Sequence, residues 1–301
     1  YENEITSIDV TLNTELVKLN LWKNQLTTID VSKNTNLTEL VLADNQITGI
    51  DLDGIIKLTE LYLSGNELTS VNLGENPELQ VLTLWDNQLT TLDVTSNPDL
   101  VDLTLSGNYL TSLDVSENSA LEVLSVRGNQ LSVIDVSNNL KLTELSLYDN
   151  QITDLDVSNN VELTELSVHT NQLSDFDVTN NLKLTELYLA RNQLTSLDVS
   201  ENSELEVLSV WRNQLGSIDI SHNRKLTELH ISNNLLTSID ISNNTELNIF
   251  SIWGNLLTDV PVGISQINDK SAEIELQSNL FDDDAKVILE FFKQTYPNLL
   301  Y

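Results

Sequence analysis

Residues Leu142–Glu162 read LTELSLYDNQITDLDVSNNVE, a 21-residue unit that recurs with small edits through nearly the whole chain. Stepping by 21 from Asn150 reaches Asn3, Asn24, Asn45, Asn66, Asn87, Asn108, Asn129, Asn171, Asn192, Asn213, Asn234 and Asn255. Thirteen registers without an insertion make this a stack of one unit. Columns are counted from that Asn. Apolar residues stand at minus 8, minus 5 and minus 3, as in Leu142, Leu145 and Leu147. The alternation across the last two is that of a half-buried strand, so each copy is predicted to begin with a short one.

The spacing L-x-x-L-x-L-x-x-N from Leu142 to Asn150 resembles the leucine-rich repeat family. The resemblance covers roughly residues 1 to 280 and implies a right-handed solenoid, mainly β, with a parallel sheet on its concave face. Each unit is also doubled internally. Leu194, Thr195, Leu197, Val199 and Asn202 repeat the spacing of Leu184 to Asn192, which divides 21 into 10 and 11. This nested period is similar to the short bacterial IRREKO-type subclass and implies short strand-like or irregular segments on the convex face. For function, the family implies protein–protein recognition.

A turn buried between coils leaves main-chain N–H and C=O groups to be satisfied, and an inward Asn side chain can serve both kinds. A second column, Asn13, Asn34, Asn76, Asn97, Asn118, Asn139, Asn160, Asn181, Asn202, Asn223 and Asn244, is broken only at Ile55. Both columns are read as structural braces. The irregular stretch Asp51 to Lys57, DLDGIIK, is expected to form a local bulge.

Composition narrows the function. A formal charge of −32 argues against binding nucleic acid or an anionic membrane. No stretch approaches the roughly 18 consecutive apolar residues of a membrane span. With no cysteine there is neither a disulfide frame nor a thiolate metal site. Extracellular animal and plant members of the resembled family usually carry Cys-paired caps, so the absence of cysteine favours a bacterial or intracellular origin. Tyr1 enters mid-repeat, in the column that Trp22 occupies one copy later, so the N-terminal end is read as incomplete. A removed leader, an upstream domain or trimming would each account for it. The expected location is extracellular or on a bacterial surface, with the cytoplasm as the alternative, and the expected state is a monomer.

Residues 1–258 are read as one elongated repeat domain and 259–301 as a divergent last repeat and cap. Pro261 and Gly263 break the pattern, and Asn279 arrives three residues late. Asp282 or Asp283 can cap a helix near 283–295, ending before Pro297. Val287, Ile288, Phe291 and Phe292 supply the apolar face expected to close the core.

Catalysis has little to work with. His169 and His230 lie about three coils apart, roughly 14 Å at strand spacing and too far to share a metal ion. His222 belongs to the other half-repeat, and no nucleophile stands beside a base. The chain is therefore read as a non-enzyme with no catalytic or metal residues and no cofactor. The Asp column Asp93, Asp114, Asp135, Asp156, Asp177, Asp198, Asp219, Asp240 is read as hydrogen bonding to turn N–H groups or to the Ser or Thr two residues on.

Outward columns minus 4, minus 2 and minus 1 are where the copies diverge. All four tryptophans, Trp22, Trp85, Trp211 and Trp253, sit at minus 2 with Arg127, Tyr148 and His169. Tyr62, Tyr188 and His230 join from minus 4, and Arg191 and Arg212 from minus 1. Trp, Tyr and Arg dominate recognition energetics, and exposed aromatics add little to folding. These twelve residues are the candidate ligand-binding strip, densest from Arg127 to Trp253. The predicted partner is a protein or an anionic polysaccharide, carboxylated or sulfated. Two alternatives are an acidic spacer or stalk of a larger surface protein and a calcium-dependent adhesion module.

Overall fold

The computed structural model describes residues 3–74 and 76–301; Tyr1, with the reading placed on it, Glu2 and Glu75 lie outside the described residues. Its coils group into two units, Tyr1–Gln151 and Ile152–Tyr301. In the first, strands Lys18–Asn20, Glu39–Val41, Glu60–Tyr62, Val81–Thr83, Asp102–Thr104, Val123–Ser125 and Glu144–Ser146 (β1–β7) pair in chain order, all parallel. In the second, Glu165–Ser167, Glu186–Tyr188, Val207–Ser209, Glu228–His230, Ile249–Ser251, Glu273–Glu275 and Leu299–Leu300 (β8–β14) do the same. The fold is a mainly β solenoid with a single α-helix among the described residues, Asp283–Phe292 (α1), near its C-terminal end, preceded by a short 3-10 turn at Ile264–Gln266.

The register steps by 21, as in Leu103↔Leu124, until Phe250↔Ile274 lengthens it to 24. Leu142, Leu145 and Leu147 are buried, as are their counterparts in the coils from Leu37 to Ile252, so the minus 8, minus 5 and minus 3 columns form a continuous core within each unit; Leu16, in the first strand's coil, is half-buried.

The first Asn column serves both kinds of backbone group. Asn108 Nδ2 donates to Leu84 O and Leu105 O at 2.9 and 3.0 Å, while its Oδ1 accepts Leu89 N–H at 2.9 Å. Asn279 plays the same part at the lengthened coil, accepting from Leu257 N and donating to Leu276 O. The second column departs from expectation, because it only donates. Asn118 Nδ2 reaches Val94 O and Asn97 O of the preceding coil at 2.9 and 2.8 Å, and its buried Oδ1 has no partner. The turn N–H groups nearby are already used, as in Asn118 N donating to Val115 O and Leu121 N to Asn118 O.

Those local bonds also explain the convex face. Its segments are turns with no strand ladder among the described residues, apart from an isolated bridge between Asp240 and Val262. Coils there are joined largely through Asn side chains. The Asp column closes the same turns. Asp198 Oδ1 accepts Ser200 N–H at 2.9 Å, and this bond, with one from the Ser200 hydroxyl, holds the carboxyl below its ordinary range. No bulge forms at Asp51 to Lys57. Ile55 is buried in the Asn position and makes the same turn bond to Leu52 O, with Gly54 at a φ of 78°.

The tail corrects three expectations. Helix α1 ends at Phe292, short of residue 295, and a further strand, β14, follows it. Asp282 caps the helix by accepting Ala285 N–H at 2.8 Å. Yet Val287, Ile288 and Phe291 are exposed, and Ala285 and Leu289 are the helix residues that are buried. Tyr296 and Leu299 complete the closure, which therefore depends on the chain after the helix as much as on the helix.

Candidate functional site

Each concave strand is followed by a turn whose conformation was not foreseen. The minus 1 residue has a positive φ in every described coil from Lys23 to Ser278. Eight of these thirteen are Gly, Asp or Asn, the residues that take this conformation most easily. The exceptions are Lys23, Thr170, Arg191, Arg212 and Ser278. Left-handed geometry costs such residues roughly 1–2 kcal/mol each. A large cationic side chain at this position is therefore held against local preference.

In the N-terminal unit, Trp22 and Trp85 stand in one column with Ala43 and Ser64 between them, the last two buried. The drop from Trp to Ala and Ser leaves a mostly apolar depression of about 320 Å³, with Val41 and Tyr62 also lining it. Trp22 Nε1 donates to Asp44 Oδ2 at 2.9 Å, and the Lys23 ammonium lies 5.7 Å from the Trp22 ring. Tyr62 donates its hydroxyl to Glu60 at 2.8 Å. Further along the unit, Arg127 donates to the Tyr148 hydroxyl and lies 5.4 Å from its ring.

In the C-terminal unit, Trp211 and Trp253 flank Ser232 across two coil steps. Together with His230, Ser251 and Glu275 they line a depression of about 260 Å³. The Arg191 and Arg212 guanidiniums lie 4.7 and 5.5 Å from the Trp211 ring, within cation–π reach. Both side chains are exposed, and among the described residues no ion pair to either forms. His230 Nε2 is 3.4 Å from Glu228, and His169 Nδ1 is 3.1 Å from the Thr170 hydroxyl. Tyr188 donates to Glu186 at 2.6 Å.

The two Tyr–Glu pairs give a pH signature. Burial first, and then the Glu60 bond, pushes the Tyr62 hydroxyl up to about 12. The same causes, with Glu186, raise Tyr188. Because folding favours the protonated phenol, this stabilisation is complete below the ordinary value near 10 and is lost as pH rises through about 12. A spectrophotometric tyrosine titration is expected to show a late phase from these two. Glu60→Gln and Glu186→Gln should advance that phase without abolishing it, since burial is the larger cause; absence of a late phase would contradict the assignment.

No three His, Asp or Glu side chains converge among the described residues in a way that could hold a metal ion. No helix among them is long and apolar enough to cross a membrane.

The Leucine rich repeat family pattern matches residues 14–68, and a second of the same description matches 138–159 and 222–237. The functional domain of InlJ from Listeria monocytogenes is 32% identical, covers 86% of this chain and 68% of its own, and superposes with a TM-score of 0.72. The chain belongs to the leucine-rich repeat family. A leucine-rich repeat protein of Leptospira interrogans is 27% identical over 96% of this chain and 84% of its own, with a TM-score of 0.84. An internalin of Listeria monocytogenes, at 24% identity, shares the fold over 96% of this chain and 87% of its own, with a TM-score of 0.83. A comparison with curated proteins returns no match. The InlJ domain includes a cysteine ladder, whereas this leucine-rich repeat chain has no cysteine and stacks its coils through Asn columns. Leucine-rich repeat solenoids are generally non-catalytic, protein-binding scaffolds that use extended concave surfaces.

Proposed function

We propose that this chain is a surface-displayed binding module whose C-terminal unit recognises an anionic group on a macromolecular partner. The observation that carries the reading is the pair Arg191 and Arg212. They stand on successive coils of a chain with charge −32, in left-handed geometry, against Trp211 and without a carboxylate partner among the described residues. Folding gains little from such a pair: the backbone is strained and the like charges are adjacent. An arriving carboxylate or sulfate would gain two forked donors already ordered on an aromatic ring. The family's habit of binding proteins makes an acidic protein segment the first candidate.

A glycan is the second reading, favoured by the Trp211–Ser232–Trp253 arrangement. Two coil steps separate the tryptophans by about 10 Å at the backbone. A sugar ring could stack on either face while Ser232, Ser251 and Glu275 meet its hydroxyls.

Tryptophan fluorescence tests both, because all four tryptophans lie in the outward column. Titration with acidic peptides and with uronate-rich, sulfated and neutral oligosaccharides should give a saturable change with at least one anionic ligand. A Trp211→Ala, Arg212→Ala double variant should weaken it at least a hundredfold, about 3 kcal/mol. Equal binding of neutral and anionic ligands, or full binding by the double variant, would overturn the proposal.

A further inference from the structure

We propose that the depression between Trp22 and Trp85 in the N-terminal unit is a second site, of opposite charge preference, that takes a lysine side chain from a partner protein. This site is independent of the reading given to Arg191 and Arg212.

The walls are two indole rings whose backbones are about 14 Å apart at three strand spacings. The floor is apolar, set by Val41, Ala43 and the buried Ser64. Such a surface suits the methylene stem of a lysine, and the indole faces attract its ammonium group. Trp22 already shows this preference, since Lys23 of its own chain lies at its ring.

The rim adds carboxylates. Asp44 is held in place by the Trp22 indole through Oδ2, and its Oδ1 leans over Gly65, where an added Cβ would collide with it. Gly65, at minus 1 with a φ of 64°, leaves that carboxylate room. Asp86 leans over Gly107 in the same manner. Glu60 accepts from Tyr62 on the strand side of the depression, and Glu39 is taken by Lys18 at 2.5 Å. Around the depression stand Asp44, Glu60 and Asp86, beyond the carboxylate that Lys18 neutralises, with the Lys23 ammonium beside Trp22; Lys33 and Lys57 of the same coils lie outside the strands, Lys57 donating to Asn36. The chain's field, from a charge of −32, draws a cationic segment towards this surface. An anionic ligand would meet the carboxylates instead.

The test uses the full chain carrying Trp211→Phe and Trp253→Phe, so that the remaining fluorescence reports Trp22 and Trp85. A lysine-rich peptide is titrated beside the same peptide with every lysine acetylated. Salt is set near 0.15 M, where the Debye length of about 8 Å suppresses diffuse attraction. A saturable change is expected with the lysine peptide, at least tenfold weaker with the acetylated one. Trp85→Ala and Asp44→Asn should each weaken it at least tenfold, and circular dichroism should show both variants folded. Arg191→Ala with Arg212→Ala should leave it unchanged, which separates failure here from failure of the anion site. Equal binding of the acetylated peptide, or undiminished binding by Trp85→Ala, would overturn the proposal.

Discussion

Replacing Asn118 by Asp is expected to cost about 3–5 kcal/mol at neutral pH, the penalty of a buried charge without a partner. Asn118 is fully buried and acts only as a donor, to Val94 O and Asn97 O. A carboxylate of the same shape would point at two carbonyl oxygens. Protonation restores one donor, so the folded-state carboxyl is raised above its unfolded value near 3.9. The stability gap from the parent chain should be smallest below that value and should widen as pH rises through the folded one. Asn108→Asp is the matched control, because its Oδ1 already accepts Leu89 N–H and an Asp keeps that bond. Denaturant melts of both variants at pH 7 and near pH 4 decide the matter. Equal losses at the two sites would mean that the donor-only column does not hold the coils together as described.

That asymmetry marks how far the sequence could be read. The 21-residue period and the apolar columns are local patterns repeated many times, so strand, register and core followed from spacing alone. Which hydrogen-bonding face an Asn presents depends on the coil stacked beneath it. The turn bond from Asn118 N to Val115 O consumes the group that an Oδ1 would otherwise meet. Of the strand-like or irregular convex segments that the doubled template implied, the same local bonding selects the irregular ones. The tail has one α-helix, so no repetition averages out error. Its amphipathic pattern pointed to Val287 and Phe291, while the last coil selected Ala285 and Leu289.

The outward columns were legible as columns but not as sites. The sequence placed every tryptophan at minus 2. It did not show that Ala43 and Ser64 between Trp22 and Trp85, or Ser232 between Trp211 and Trp253, open depressions there. The signal lay in the small residues, which matter only once neighbouring coils are superposed. The left-handed minus 1 turn was also readable, from its Gly, Asp and Asn majority. With that turn known, Arg191 and Arg212 change from scattered cations into residues retained against backbone preference, which turns an enrichment argument into a physical one.

Gly263→Ala is expected to cost about 2–6 kcal/mol, combining left-handed strain with forced overlap. Gly263 has a φ of 88°, and an added Cβ would fall on the backbone N and Cα of Ser242, with Ser242 Oγ at 2.8 Å. Backbone cannot step aside as a flexible side-chain tip can. Val262, beside it, forms the bridge to Asp240 and accepts from Ile241 N at 2.9 Å, so any shift is passed to the coil on which the tail rests. Because a solenoid's stability is carried by nearest-neighbour contacts, the damage should stay near this end. Hydrogen exchange should quicken through residues 259–301 while coils far from Gly263 keep their protection. Gly216→Ala provides the contrast: nothing lies within 4 Å of its added Cβ and its φ is not positive, so the change should be neutral or mildly stabilising. If Gly263→Ala instead melts like the parent, the close approach to Ser242 is not a constraint on the fold. Fast exchange spreading evenly through the chain would show that the tail is not a local closure but a condition for the whole stack.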